Sequence, residues 1–336
     1  MTLTRRAFGL AAAALLGTTA LPALAQDAAL PDAIRIGSTA PGHLKFILFR
    51  NLHLLEKEFE AEGIPVELVT FDGGSEASVA LGSGQLDLMY TGNNPALRLA
   101  ASGADVKAVG LSSWNPLNET VVIARADGDI DSIDDLKGHN VAYLQGTVRH
   151  SNFAKALETV GLSTDDVESF NFGIETAGPA LARGDIDAIV ESRSTVQTLI
   201  DQGLAKVIFD GAEHPEWVSP YPITVNGEFA RRYPEVLARI LAVDIQTAAW
   251  ADAHPDETIR IFAEETGRPE DAIRATYPDN QFHQSPEITQ AAIDSLRDEE
   301  SFMAANGLIE GQVDYDAWID TSYYQAALGL LQARTN

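Results

Sequence analysis

Short apolar runs alternate along this 336-residue chain with longer stretches in which apolar residues recur at helical spacing. Runs at 34–37, 66–69 and 106–111 have the length that is typical of strands. Between the first two, apolar side chains from Leu44 to Phe59 follow a helical period until Gly63, a residue type that commonly ends a helix. The alternation predicts an α/β fold with helices on both faces of its sheets.

Further elements follow from the same pattern. Asn94-Pro95 is a typical helix start, with a polar cap and a proline in the first turn. The chain is predicted to be mainly helical from Pro234 onward, with another helix at 153–160. Additional strands are predicted at 86–90, 120–124, 140–143, 167–172, 188–190 and 207–209.

One segment occurs twice. The sequence GQLDLMY at 84–90 returns as GDIDAIV at 184–190. In each copy a glycine ends a helix, an aspartate occupies the turn and an apolar strand follows. We expect Asp87 and Asp187 to cap their turns or orient the strand start instead of contacting a ligand. Two copies this far apart in the sequence predict two α/β lobes that face each other across a cleft able to hold a small molecule.

The chain is expected to cross between these lobes twice. Residues 26–118 and 224–336 are predicted to form a discontinuous first lobe, which the helices after Pro234 complete and cover. Residues 119–223 are predicted to form the second lobe. Two crossings between lobes make a hinge.

The N-terminus carries export features. A Thr-Arg-Arg-x-Phe sequence begins at Thr4, an apolar run follows at 9–16, and Ala23-Leu24-Ala25 matches a cleavage site. Residues 1–25 therefore read as a cleaved signal peptide, and the paired arginines favour twin-arginine export over the alternative of an ordinary Sec signal. No later stretch approaches the roughly 20 apolar residues of a membrane span. These features predict a soluble periplasmic protein.

Composition narrows the possible partners. The chain holds 49 acidic and 23 basic residues, for a formal net charge of −26. Such a surface repels nucleic acid and anionic membranes, so no nucleic acid partner is expected. An anionic ligand would have to be attracted by a local arrangement of groups. The absence of cysteine excludes disulfides and a lipid anchor on a cysteine.

A specific motif then suggests a family. The sequence DDLKGHNVA at 134–142, followed by QGT at 145–147, resembles periplasmic substrate-binding proteins of ABC importers. The resemblance is strongest to the branch for aliphatic sulfonates, taurine and nitrate, to which binders of thiamine pyrimidine precursors are related. It implies the type II binding-protein fold, in which each lobe is a small mixed sheet flanked by helices. It also implies a monomer that delivers a small organic anion or zwitterion to an ABC permease in the inner membrane.

Four loops are predicted to run from a strand end into a helix start, at 38–42, 71–75, 91–94 and 145–151. Helix starts present free N–H groups and partial positive charge, which suit an anion. Thr91-Gly92 and Gly146-Thr147 stand where the family has its ligand-binding turns. The loop residues predicted to contact ligand are Thr39, His43, Thr91, Gly92, Asn93, Gly146 and Thr147.

Three further side chains are candidates, each with an alternative. Arg149 supplies a full positive charge to the ligand, or is bridged to one of the many acids. Trp114 lines the side of the site, or is a packed tryptophan between the lobes. Glu191 holds an ammonium group, or pairs with Arg193. Sulfonate-binding relatives have an aromatic-Asp segment near here, so the Glu191 segment argues against a simple alkanesulfonate and favours a zwitterion such as taurine.

Common catalytic patterns are missing. The chain has no His-Glu-x-x-His, no Gly-x-Ser-x-Gly and no phosphate-loop sequence, and its seven histidines are scattered. His150 is expected to cap a helix. We therefore expect no metal, no cofactor and no catalytic activity. Two alternatives stay open, namely an exported enzyme that uses the same cleft and a ligand-sensing partner of a membrane receptor.

Overall fold

The computed structural model describes residues 30–39, 43–71, 73–115 and 117–335. The predicted signal peptide at 1–25 lies outside the described residues. Within the described part, no helix has both the length and the apolar character needed to cross a bilayer.

Ten strands form two five-stranded mixed sheets in the part of the chain that the structure describes. The strands are β1 (Ile34–Ser38), β2 (Val66–Thr70), β3 (Leu88–Tyr90), β4 (Val106–Ser113), β5 (Thr120–Arg125), β6 (Asn140–Ala142), β7 (Glu168–Phe170), β8 (Ala188–Ser192), β9 (Ala205–Asp210) and β10 (Tyr221–Asn226). The first sheet has the order β2-β1-β3-β10-β4 and the second β7-β6-β8-β5-β9. In each sheet four strands run in one direction, and one inner strand, β10 or β5, runs the opposite way and pairs antiparallel with both of its neighbours. The two sheets thus share one topology.

Helices cover both faces of each sheet. They are α1 (Leu44–Leu52), α2 (Leu54–Phe59), α3 (Gly74–Gly82), α4 (Asn93–Ala101), α5 (Val148–Thr159), α6 (Ile174–Arg183), α7 (Arg193–Asp201), α8 (Gly227–Arg232), α9 (Pro234–Ala253), α10 (Pro255–Thr266), α11 (Glu270–Thr276), α12 (Gln290–Ala305), α13 (Tyr315–Trp318) and α14 (Ser322–Thr335). The first sheet packs on α1, α2 and α9 through one apolar cluster and on α3, α4 and α12 through another. The second sheet packs on α5 on one side and on α6 and α7 on the other. The predicted two-lobe architecture of mixed sheets flanked by helices is confirmed.

The sequence repeat has a structural counterpart. Gly84 and Gly184 both adopt positive φ, at 73° and 79°, where each ends a helix. The Asp87 carboxylate accepts a hydrogen bond from the Arg35 N–H at 2.7 Å, and the Asp187 carboxylate accepts one from the Asn140 N–H at 2.9 Å. Each aspartate therefore ties its turn to the start of the neighbouring parallel strand, as expected for a structural role.

Two predicted elements differ in extent. The single helix predicted up to Gly63 is broken at His53, whose φ of 52° ends α1 before α2 begins. The apolar spacing continues across this break and so does not reveal it. The helix predicted from 153 begins five residues earlier at Val148, because Thr147 caps it.

The lobe boundaries at 118/119 and 223/224 stay a prediction. The strands of the second sheet lie between Thr120 and Asp210, whereas β10 already begins at Tyr221 and pairs within the first sheet. The chain has therefore returned to the first sheet before residue 223.

Candidate functional site

The strand order places the candidate loops at equivalent points of the two sheets. From β1 the chain runs outward to the edge strand β2 and returns to β3 on the other side of β1, and β6, β7 and β8 repeat this path. Open α/β sheets bind ligands at the carboxyl ends of strands where the strand order reverses in this way. All the predicted ligand residues except Trp114 lie at the carboxyl ends of β1, β3, β6 and β8 or in the first turn of the following helix.

The loops of the first sheet leave neighbouring strands side by side. Ser38 and Tyr90 are register partners at the ends of β1 and β3. Thr39 and Thr91, which follow them, therefore start two adjacent loops. Thr91 is buried and Asn93 is fully buried at the start of α4. Both loops therefore start at the same edge of the sheet.

Three hydrogen bonds join α4, which follows the loop that starts at Thr91, to the second lobe. Asn94 Nδ2 donates to Ser151 Oγ at 2.7 Å and to the Thr147 carbonyl at 3.4 Å. Arg98 Nη2 donates to the Gly146 carbonyl at 2.7 Å. The N-terminus of α4 thus meets the N-terminus of α5. The structure therefore brings the predicted turns of the two lobes together.

The turn of the second lobe is shaped by Gly146. Its φ is 72°, and a Cβ there would lie 2.4 Å from the guanidinium of Arg98. The Gly146 N–H donates to His150 Nδ1 at 2.9 Å. Burial and the nearby Arg98 lower the pKa of His150 to about 4, so the ring is neutral and accepts this bond. Thr147 Oγ1 caps α5 by accepting from the His150 N–H at 3.4 Å.

Several buried polar atoms beside the turns lack a hydrogen-bond partner among the described residues. These atoms are both ring nitrogens of His43, Asn93 Nδ2 and Asn94 Oδ1. Burial and the charge of Lys45 lower the pKa of His43 to about 4, so its imidazole is neutral at pH 7. Buried polar groups are usually paired, and these groups offer both donors and acceptors to a ligand.

The charged candidates pair with each other. Arg149 Nε lies 2.5 Å from Glu191 Oε1, and the same oxygen accepts a hydrogen bond from the Ser192 N–H at 2.7 Å. Arg193 instead pairs with Asp210. Of the alternatives open from sequence, Arg149 is therefore bridged to an acid, and the partner of Glu191 is Arg149 and not Arg193. One positive and one negative group stand together at the carboxyl end of β8.

Trp114 lies apart from the other candidates. It is half-buried, its backbone N–H donates to the His283 backbone carbonyl, and it lines a groove of about 610 Å³ with Trp217, Lys155 and Glu299. Lys155 Nζ and Glu299 Oε2 are 2.6 Å apart in this groove and form a second link between the lobes. The placement fits a tryptophan packed between the lobes better than one that lines the predicted site.

Sequence reasoning missed some residues of the site. Asn94 and Ser151 fell inside predicted loops, but nothing in their spacing singled them out as a contacting pair. Arg98 lies one turn into α4, on a helix face for which the sequence offers no ligand signal. Within the described ranges, no group of three or more His, Asp or Glu side chains is arranged to hold a metal ion.

Comparisons with known proteins agree with this architecture. A family model described as NMT1/THI5 like matches residues 58–258. An Escherichia coli (strain K12) protein named for binding aliphatic sulfonates is 27% identical over 311 residues, which cover 92% of this chain and 95% of that protein. The taurine-binding periplasmic protein of the same organism is 25% identical over 276 residues, 78% of this chain and 85% of that protein.

Solved structures share the fold. The crystal structure of the periplasmic aliphatic sulphonate binding protein SsuA from Escherichia coli superposes with a TM-score of 0.72 at 24% identity. The match covers 87% of this chain and 92% of that chain. At this identity the likeness concerns the fold alone.

One further structure corrects an expectation. The desulfurization enzyme DSZB superposes with a TM-score of 0.70 at 18% identity and covers 90% of this chain and 100% of its own. The expectation that this chain has no catalytic activity rested on an export signal with an intact two-lobe pattern and on missing motifs. It is wrong as an inference from the fold, because the same two-lobe architecture also carries an enzyme.

Proposed function

This chain belongs to the NMT1/THI5-like family, and we propose that it is the periplasmic solute-binding component of an ABC importer. In this proposal, the two lobes close on a small organic anion or zwitterion of the sulfonate or taurine type. The observation that carries the proposal is the meeting of the α4 and α5 N-termini through Asn94 and Ser151. In this arrangement the N-termini of two helices, one from each lobe, face the same ligand.

The anionic end of the ligand is proposed to lie at these helix starts. Free N–H groups and the partial positive charge of each helix terminus attract an anion locally, against the net charge of −26. Thr39, Thr91 and Thr147 add hydroxyl groups, and Gly92 and Gly146 let the backbone approach closely. The sulfonate and taurine relatives support this ligand class.

The Arg149–Glu191 pair supports a zwitterion. Arg149 can form charge-assisted hydrogen bonds with a sulfonate, and Glu191 can accept from an ammonium group. A zwitterionic ligand replaces the ion pair between Arg149 and Glu191 with two ion pairs, one from each of these residues to the ligand. No buried charge is then left unpaired. A simple anion would leave Glu191, which is only 9% exposed, without its partner.

Closure is proposed to pivot about the two crossings between lobes, one between β4 and β5 and the other between β9 and β10, in a monomer exported by its N-terminal signal. A ligand that contacts both lobes only in the closed form stabilises that form by the difference in contacts. The closed form is the one that the permease of the inner membrane would receive.

Thermal unfolding and calorimetry with taurine, ethanesulfonate, nitrate and a thiamine pyrimidine precursor test the proposal. We expect taurine to stabilise the mature protein increasingly with concentration, by about 2.7 kcal/mol at one hundred times Kd. Small-angle X-ray scattering should show a smaller radius of gyration with ligand. Mass spectrometry of the ligand after incubation addresses the enzyme alternative. Intact ligand supports transport, whereas a product, or no stabilisation by any of these compounds, overturns the proposal.

A further inference from the structure

We propose that Asp244 is a positioning residue for the ligand site, because its carboxylate ties the first turn of α1 and the end of β3, which adjoin His43 and Thr91, to one fixed point of the first lobe. The inference rests on the proposed function for what the loops bind. It concerns a cluster of three buried side chains, Lys45, Tyr90 and Asp244, which we call the buried triad.

The triad uses both oxygens of one carboxylate. Lys45 Nζ forms an ion pair with Asp244 Oδ1, and the Tyr90 hydroxyl donates to Asp244 Oδ2 at 2.9 Å. Lys45 Nζ also donates to the Gln284 carbonyl at 2.7 Å. Lys45 and Asp244 are fully buried and Tyr90 is 1% exposed. Each charged group therefore has its partners inside the protein, which is the condition under which a buried ion pair is tolerated.

Two members of the triad adjoin the predicted ligand loops of the first lobe. One follows the end of a loop and the other precedes the start of the second loop. Lys45 lies two residues after His43, in the first turn of α1. Tyr90 is the last residue of β3 and directly precedes Thr91. A single carboxylate thus restrains one end of each loop. Displacing it would move His43 and Thr91 together.

Asp244 itself stands on a rigid support. It lies in the middle of α9, a helix of 20 residues whose apolar face packs in the core of the first sheet. The Tyr90 ring also packs edge-on against Phe46 and Phe49, with centroids 5.8 and 5.9 Å away. Burial and the charge of Asp244 raise the pKa of Tyr90, so its hydroxyl stays protonated and donates. Sites held by such supporting hydrogen bonds keep their geometry before the ligand arrives.

Two variants test the inference. Tyr90→Phe removes one hydroxyl and keeps the ring. Lys45→Met/Asp244→Leu replaces the ion pair with apolar side chains of similar size, an exchange that commonly preserves folding. Tyr323→Phe is the matched control, because it removes a hydroxyl that donates to the Ala230 carbonyl at 3.2 Å in the same lobe without touching the triad.

The first readout is binding of taurine by calorimetry. We expect Tyr90→Phe to weaken binding about 3- to 10-fold and the double variant about 10- to 30-fold, the usual range for residues that act through others. Tyr323→Phe should bind as the wild type does. Unchanged taurine affinity in both triad variants would overturn the inference while leaving the proposed function intact.

The second readout needs no ligand. Hydrogen exchange of the backbone amides at 43–46 and 91–94 should be about tenfold faster or more in both triad variants than in Tyr323→Phe. If the wild type binds no taurine, hydrogen exchange still decides, because the His43 pKa changes with the charge of Lys45 whether or not the loops move. Unchanged exchange in both segments would refute the positioning role.

Discussion

The side-chain amide of Asn94 donates to the hydroxyl of Ser151 at 2.7 Å, although the two residues are 57 positions apart and belong to different lobes. Both side chains are fully buried. The bond therefore holds the starts of two helices together at the place where an anion is proposed to bind.

Ser151→Ala is expected to weaken ligand binding. The change removes the acceptor and leaves the buried Asn94 amide with only its longer bond to the Thr147 carbonyl. A lost bond of this kind costs about 1–3 kcal/mol. Calorimetry with taurine should show a corresponding rise in Kd. Ser301→Ala is the control, since its hydroxyl donates within the exposed part of α12. Equal affinities in the two variants would argue against a closed form held by this contact.

Gly146→Ala is expected to cost stability and binding. Left-handed backbone costs a non-glycine residue about 1–2 kcal/mol, and the new methyl group would also displace Arg98, which lies 2.4 Å from its position. Gly203→Ala separates these effects. Gly203 has a φ of 68° and nothing within 4 Å of an added Cβ. Chemical denaturation should show a greater loss for Gly146→Ala, and equal losses would mean that Arg98 moves away freely.

The Glu191 carboxylate should decide between a zwitterion and a simple anion. Glu191→Gln is expected to weaken taurine binding by about 1.5–3 kcal/mol, the range for a hydrogen bond to a charged group. Ethanesulfonate should bind equally or more tightly, because Arg149 then loses its competing carboxylate. Asp210→Asn, which removes the carboxylate beside Arg193, is the matched control. The zwitterion proposal fails if Glu191→Gln affects both ligands alike.

Acid is expected to destabilise the protein through His43 and His150. Their folded-state pKa values are lowered from 6.5 to about 4, mainly by burial. Below pH 6.5 the two imidazoles bind protons in the unfolded chain, whereas in the folded chain they stay neutral until the pH approaches 4. The stabilisation that each neutral ring contributes is thus present above pH 6.5 and lost as the pH falls toward 4.

Denaturation of the wild type and of His150→Asn between pH 7 and 4 measures this loss. The asparagine oxygen can still accept from the Gly146 N–H but does not titrate. We expect the variant to lose less stability over this range, by an amount on the order of 3 kcal/mol. Parallel curves for the two proteins would show that His150 titrates normally.

The sequence alone determined the features that depend on near neighbours. The repeated glycine and aspartate predicted the turns in which Asp87 and Asp187 tie down adjacent strands, since turn geometry is set within a few residues. The alternation of apolar runs and helical periods predicted both lobes. The glycine and threonine of each turn identified the loops that meet.

Only the tertiary structure decided which distant groups pair. It assigned Glu191 to Arg149 instead of Arg193, placed Trp114 in a separate groove and joined Asn94 to Ser151. It also gathered Lys45, Tyr90 and Asp244 from three elements into one cluster. Such contacts depend on how lobes and helices pack against one another. Local periodicity reports which face of an element is buried, but it carries no information about the partner on the other side.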